Sequence, residues 1–307
     1  MKFSFWCGLL LPAVLSLVLA AAPARAQTKL QVVTRTVEQS FPCRPTGMVH
    51  IQAEKANVQV QGWDKPLVKV TLRLVAKHPD RAVAERELSV LRYQLDKRGN
   101  DVYLVNYLAV PATAPPVQGN LRAEYTIWMP RAAALQAKST YGETSLTGLT
   151  GEQTLTQEFG RVQLRSLRGS LKIESTFADV TGTDLNLALE CIASKAAIQL
   201  GQAAGRYFLQ NSYGTVQVEA ADNLAQLSID VVRTAVRVLV PRLEQFGYDL
   251  TASQGSIDVP TAYANSRRNS SSQSSFQFRP NRKLPLVRVK TSYADISLQA
   301  TSPLIQR

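Results

Sequence analysis

Apolar and polar residues alternate along most of this chain, and the alternation recurs in blocks. Tyr141, Phe159, Phe177, Lys195 and Tyr213 stand 18 residues apart, and each marks a similar stretch. Arg233, Gln254 and Tyr293 continue the series at intervals of 20, 21 and 39. One position after each marker the residue is small: Gly142, Gly160, Ala178, Ala196, Gly214, Thr234, Gly255 and Ala294. Three positions on it is mostly β-branched, as at Val162, Val180, Ile198 and Val216. Five positions on it is apolar, with Gly182 the exception. Between these two columns runs a polar row that includes Gln163, Thr181, Gln199 and Gln217. Apolar–polar–apolar in register describes a strand with one buried face.

A second strand precedes each marker. Ala137, Leu155, Ile173, Cys191 and Leu209 lie four residues back, and Leu135, Gln153, Leu171, Leu189 and Tyr207 lie six back. A repeat of about 20 residues cannot bury its own apolar side chains, so repeats must stack to make a core. The pattern therefore predicts an all-β protein, a parallel β-helix with 18–21 residues and two short strands per turn. Successive turns would lie about 4.8 Å apart. Amphipathic helices fit poorly, because the apolar period is two and not 3.6.

The same template fits around Lys55, through Val49, Ile51, Ala56, Val58 and Val60, so the repeat body is expected over 45–300. It follows an extension at 27–44 and precedes a tail at 301–307. Segments 67–76, 101–110 and 123–130 read as longer strands. One short N-terminal helix is expected at about 80–95, with Ala84, Leu88, Leu91 and Leu95 on one stripe and Asp80 as cap. Packed over the first turn, it would hide an open sheet edge. Residues 264–283, rich in Ser, Asn and Arg, read as a flexible basic loop inserted at a corner.

Composition adds a location. Met1-Lys2, the apolar run Phe3–Ala20 and the small-x-small site Ala24-Arg25-Ala26 have the anatomy of a signal peptide, removed after residue 26. No later segment is apolar enough to cross a bilayer. The remaining chain carries 33 Lys and Arg (35 less Lys2 and Arg25) against 23 Asp and Glu, or +10. Seven of those basic residues fall in 264–290, where no acid occurs. The excess is local, so the body as a whole does not read as a nucleic-acid binder.

Candidate chemistry is sparse. His50 and His78 are the only histidines, and neither has metal-ligand spacing. His50 reads as a surface residue at a strand start. Glu143 and Asp179 would stand two turns apart, roughly 9–10 Å, near the inverting-glycosidase separation. Arg161 should stack between them, which favours a surface charge ladder over a general acid. Glu174 is followed in its column by Ile192, and Glu190 by Phe208, so no acidic cluster forms there. Cys191 reads as a buried thiol, and a bridge to Cys43 would pull it out of the core. No catalytic residue, metal site or cofactor is expected.

The binding candidates are the marker aromatics Tyr141, Phe159, Phe177 and Tyr213, and the polar row of Gln163, Gln199 and Gln217. The aromatics read more readily as a ladder packing a corner than as a ligand platform. Arg267, Arg268, Arg279, Arg282 and Lys283 could meet a polyanion, or form a solvated segment.

VQVQGWDKPLVKVTL, the strand YTIWMP and the corners SLTGLTGE and QLRSLRGS, under a leading secretion signal, resemble the bacterial "putative adhesin" domain family. The likeness spans roughly 45–300 and concerns structural repeats. It implies an exported β-helix in the periplasm or at the cell surface, with no catalytic residue to carry over. The resulting expectation is a non-catalytic, adhesin-like binding or scaffold protein of the bacterial envelope. Its partner would be a glycan, an envelope polymer or another envelope protein, including one of a signalling system, and not nucleic acid. The alternative is a carbohydrate-active β-helix enzyme acting on a polysaccharide.

Overall fold

The computed structural model describes residues 30–113 and 115–301. The expected signal peptide and nearly all of the expected tail lie outside the described residues. In chain order the elements are β1 (Gln31–Pro42), β2 (Met48–Glu54), β3 (Ala56–Trp63), β4 (Leu67–His78), α1 (Arg81–Leu88), β5 (Leu91–Arg98) and β6 (Asp101–Leu108). Then follow β7 (Asn120–Pro130), β8 (Ala134–Thr147), β9 (Glu152–Val240), β10 (Gly247–Ser253) and β11 (Ile257–Asp258). Last come β12 (Arg267–Asn269), β13 (Gln273–Phe278), β14 (Leu286–Ser292) and β15 (Ile296–Ala300). The protein is nearly all β, with its strands joined in one 15-stranded sheet and few helices.

Parallel pairing at the sequence period builds the centre. β8 pairs with β9 from Leu135↔Gln153 to Thr147↔Arg165, an offset of 18 throughout. On its other side, β8 pairs with β2 through its first half and with β3 through its second. Antiparallel strands close the N-terminal end, where β5 pairs with β6 and the pair β1–β4 joins β7. The extension expected at 27–44 thus includes a 12-residue strand.

The inward columns are buried as the alternation requires. Val162, Val180 and Ile198 are fully inaccessible, as are Ile173, Cys191 and Leu209. Gly182 departs from its apolar column because the room is already taken. A Cβ there would come within 2.7 Å of Leu185 Cδ1 and 3.0 Å of Leu200 Cδ2.

Every marker is a corner. Lys55, Tyr141, Phe159, Phe177, Lys195, Tyr213, Arg233, Gln254 and Tyr293 all have left-handed backbone, with φ between 47° and 63°. The small residue that follows lets neighbouring corners approach. A Cβ on Gly160 would meet the Gly142 carbonyl oxygen at 1.9 Å, and one on Gly214 the Ala196 oxygen at 2.0 Å. Buried polar side chains two residues before the marker satisfy that carbonyl: Ser175 Oγ donates to Ala178 O and Asn211 Nδ2 to Ala196 O, at 2.6 and 2.9 Å.

Three expectations change. The repeats are not all neighbours in chain order. β14 pairs with both β9 and β10, and β15 with both β9 and β11, so the Tyr293 repeat lies between those of Arg233 and Gln254. The free side of β10 is taken instead by β13. The helix ends at Leu88, not near residue 95. Ser89 closes it, and Leu91 and Leu95 pair across β5–β6 with Leu108 and Leu104, so strand pairing wins over helical spacing. Asp80 does cap it, accepting the Ala82 N–H at 2.8 Å, and α1 packs on β1 and β4. The 264–283 insertion is no bare loop: a short 3-10 turn (Thr261–Ser266) leads into β12, which pairs antiparallel with β13. Phe276, nearly inaccessible, anchors this hairpin, which covers the sheet edge that β10 would otherwise leave open.

Candidate functional site

The marker aromatics come together in part. The rings of Tyr141 and Phe159 stack 4.8 Å apart at 7°, and those of Phe159 and Phe177 5.1 Å apart at 8°. Lys195 Nζ lies 4.5 Å over Phe177 and ends this stack. Tyr213 belongs to a second group, with Arg233 5.4 Å over its ring and donating to its hydroxyl at 2.7 Å. All four aromatics remain well exposed. Stacking covers both ring faces of Phe159 and, with Lys195, of Phe177, and this geometry ties adjacent corners together.

The remaining candidates stay apart. Gln199 and Gln217 are exposed, while half-buried Gln163 lines a polar depression of about 310 Å³ with Thr181 and Arg165. In the basic hairpin, Arg267 donates to the Ile257 carbonyl at 2.9 Å and Arg279 to that of Arg282 at 3.2 Å. Lys283 has its backbone N–H on Asn281, and Arg268 sits in a separate polar depression with Ser275 and Gln277. Two of the guanidinium groups are thus engaged with local backbone.

The acids two residues after the markers hold corners. Asp179 accepts the Ala197 N–H at 2.8 Å, and Asp295 the N–H and hydroxyl of Ser256 at 2.7 and 2.8 Å. Asn57 does the same for Glu143 at 3.2 Å. The Ser256 donors hold the Asp295 carboxyl below its ordinary range. The expected ladder through Arg161 takes a different form: Glu143 and Arg161 are register partners, yet no ion pair joins Arg161 to Glu143 or Asp179 among the described residues. His78 accepts the Asp80 N–H at the helix start. Cys43 and Cys191 are both buried free thiols, and burial pushes Cys191 up to about 12. Among the described residues, no group of three or more His, Cys, Asp or Glu gathers where it could hold a metal ion.

Another concave feature lies elsewhere. A groove of about 500 Å³ crosses the outer face of the strands that precede the markers. Its wall runs through Thr154, Lys172, Glu190, Phe208 and Ser228, one from each of five successive repeats. Glu152, Ser170, Arg206 and Gln226 form the adjacent line. Phe208 is 40% exposed. Its column neighbours are Glu190 and Ser228, so no stacked ring covers its faces. Thr154 also borders a second cavity of about 310 Å³, where His50 stacks on Tyr103 at 4.5 Å and bonds Gln136 at 2.9 Å. His50 thus lies at the surface near a strand start, as expected, and packs there on Tyr103. One large apolar side chain in an otherwise polar outward column was the signal for Phe208; Tyr103 lies outside the repeat register and gave none.

No helix among the described residues is long and apolar enough to cross a membrane. No family model and no curated protein matches the chain. Solved structures similar to it include a "putative cell adhesion protein" from Clostridium sporogenes at 12% identity, covering 87% of this chain and 100% of that one, with TM-score 0.25. A "putative adhesin" from Bacteroides fragilis matches at 10% identity, with 86% and 97% covered and TM-score 0.27. A "putative lipid binding protein" from Parabacteroides distasonis matches at 9% identity, with 86% and 96% covered and TM-score 0.38.

Proposed function

We propose that this chain coils as a parallel β-helix of 18–21-residue turns and serves as a non-catalytic, adhesin-like binding or scaffold surface of the bacterial envelope. The constant 18-residue offset of β8 on β9 and the left-handed corner at every marker support the coil. The groove carries the binding role. It is open, crosses five turns, and is lined by donors and acceptors that repeat with the fold. The sequence of the first 26 residues supports export. The enzyme alternative draws on Glu143 and Asp179, and Asp179 is committed to the Ala197 N–H. Incubating the purified chain with envelope polysaccharide, while following co-sedimentation and reducing-end release together, tests the reading. Retention without release is expected; release of sugar ends would overturn it. Protease shaving of intact cells tests the location, and a chain found only in the cytoplasm would contradict export.

A further inference from the structure

We infer that the groove between Thr154 and Ser228 binds an extended, uncharged glycan, with Phe208 as the stacking platform; this rests on the binding-surface reading above. Four observations converge on that ligand class. The charged residues of the lining are Glu152 and Glu190 against Lys172 and Arg206, so the groove is balanced and favours neither a polyanion nor a polycation. Opposed charges with hydroxyl and amide neighbours offer donors and acceptors in alternation, as a polyhydroxylated chain requires. Phe208 is the exposed aromatic of the lining, and no other aromatic ring stacks on it among the described residues. The C–H face of a sugar ring packs on such a surface, whereas Phe159 is stacked between Tyr141 and Phe177, and Phe177 between Phe159 and Lys195.

Shape agrees. Lining residues advance by one turn at a time, about 4.8 Å each, so the groove runs on the order of 20 Å across five turns. A straight polymer of several sugar rings fits that track better than a compact metabolite does. Thr154 extends the track toward the His50–Tyr103 stack.

The test is calorimetric titration of the full chain with cellohexaose, laminarihexaose and maltohexaose, with dextran sulfate as the polyanion. Phe208→Ala, Phe208→Tyr, Arg206→Ala and Phe159→Ala are compared with the parent. All three positions are exposed, and circular dichroism checks that each variant keeps its fold. At least one neutral hexasaccharide should bind. Phe208→Ala and Arg206→Ala should each weaken it about tenfold, a loss of one well-placed contact. Phe208→Tyr and Phe159→Ala should bind within about twofold of the parent, a change well under one such contact. Failure of all three neutral chains, binding of dextran sulfate alone, or parental affinity in Phe208→Ala would each overturn the inference. If envelope material is still retained in those cases, the binding-surface reading stands; reducing-end release would remove that reading itself.

Discussion

The guanidinium carbon of Arg233 lies 5.7 Å from the ring centre of Tyr293 and 5.4 Å from that of Tyr213. Tyr213 belongs to the preceding repeat, but Tyr293 follows only after the Gln254 repeat and the basic hairpin. The cation therefore bridges two aromatics across the point where spatial order leaves chain order. Arg233→Ala should remove both contacts and cost on the order of 1 kcal/mol, as expected for exposed cation–π pairs. The readout is a melting temperature lowered by a few degrees, with Arg233→Lys between the variant and the parent.

Gly160 carries a heavier penalty. Its φ of 128° and the Gly142 carbonyl at 1.9 Å from any added Cβ leave no room for a side chain. Gly160→Ala should destabilise the protein by on the order of 2–4 kcal/mol, measured by urea unfolding. A loss below about 0.5 kcal/mol, typical of an unconstrained surface site, would show that the corners are not packed this closely.

Stability should fall in acid through the corner carboxylates. Asp295 is held below its ordinary range by the Ser256 N–H and then its hydroxyl, and Asp184 by hydrogen bonds from Ser166 and then Arg168. A depressed folded value means stability that is fully present above the unfolded value, about 4, and lost as pH falls through the folded one. Asp295→Asn keeps an acceptor, as Asn57 does naturally, and cannot be protonated in this range. Its unfolding midpoint should drop less than the parent's between about pH 5 and pH 2.5, the span in which a depressed carboxyl gains its proton.

Both described thiols should resist modification. Cys191 is fully inaccessible between Ile173 and Leu209, and burial pushes it up to about 12; Cys43 is 1% exposed and is raised by burial, then by Asp101. Ellman's reagent at pH 8 should react with neither in the native protein and with both in denaturant. Rapid native reaction of Cys191 would contradict its place in the core. Cys191→Ser should cost about 1–3 kcal/mol, because a hydroxyl there has no partner.

The core was legible in the sequence because period two and period 18 reinforce each other. Val162, Val180, Ile198 and Val216 name themselves by type and spacing, and all are buried. The corner conformation was hidden, because residues as unlike as Tyr141, Lys195 and Gln254 adopt it; only the small residue after each marker hinted at close approach. The position of the Tyr293 repeat was also hidden. Register pairing fixes it, and β14 resembles β10 too closely for spacing to rank them. Leu91 and Leu95 fit a helical stripe and a strand equally well until β6 supplies a partner. At the site, the sequence shows Phe208 only as the residue that follows Glu190 in an outward column and ends its run of charge. Its significance depends on which ring faces are covered, a fact of packing and not of sequence.

The coil itself is most directly tested by paired spin labels on the outward column after the corners. Register at both ends, and contacts between successive repeats in β9, place Ser145, Gln163, Thr181, Gln199, Gln217, Arg237, Ser297 and Asp258 in that spatial order. Electron–electron distances from Ser145 should then rise by about 4.8 Å per step: roughly 14 Å to Gln199, 24 Å to Arg237 and 34 Å to Asp258. Distances that fail to grow with the number of steps, or that place Asp258 nearer than Arg237, would contradict it.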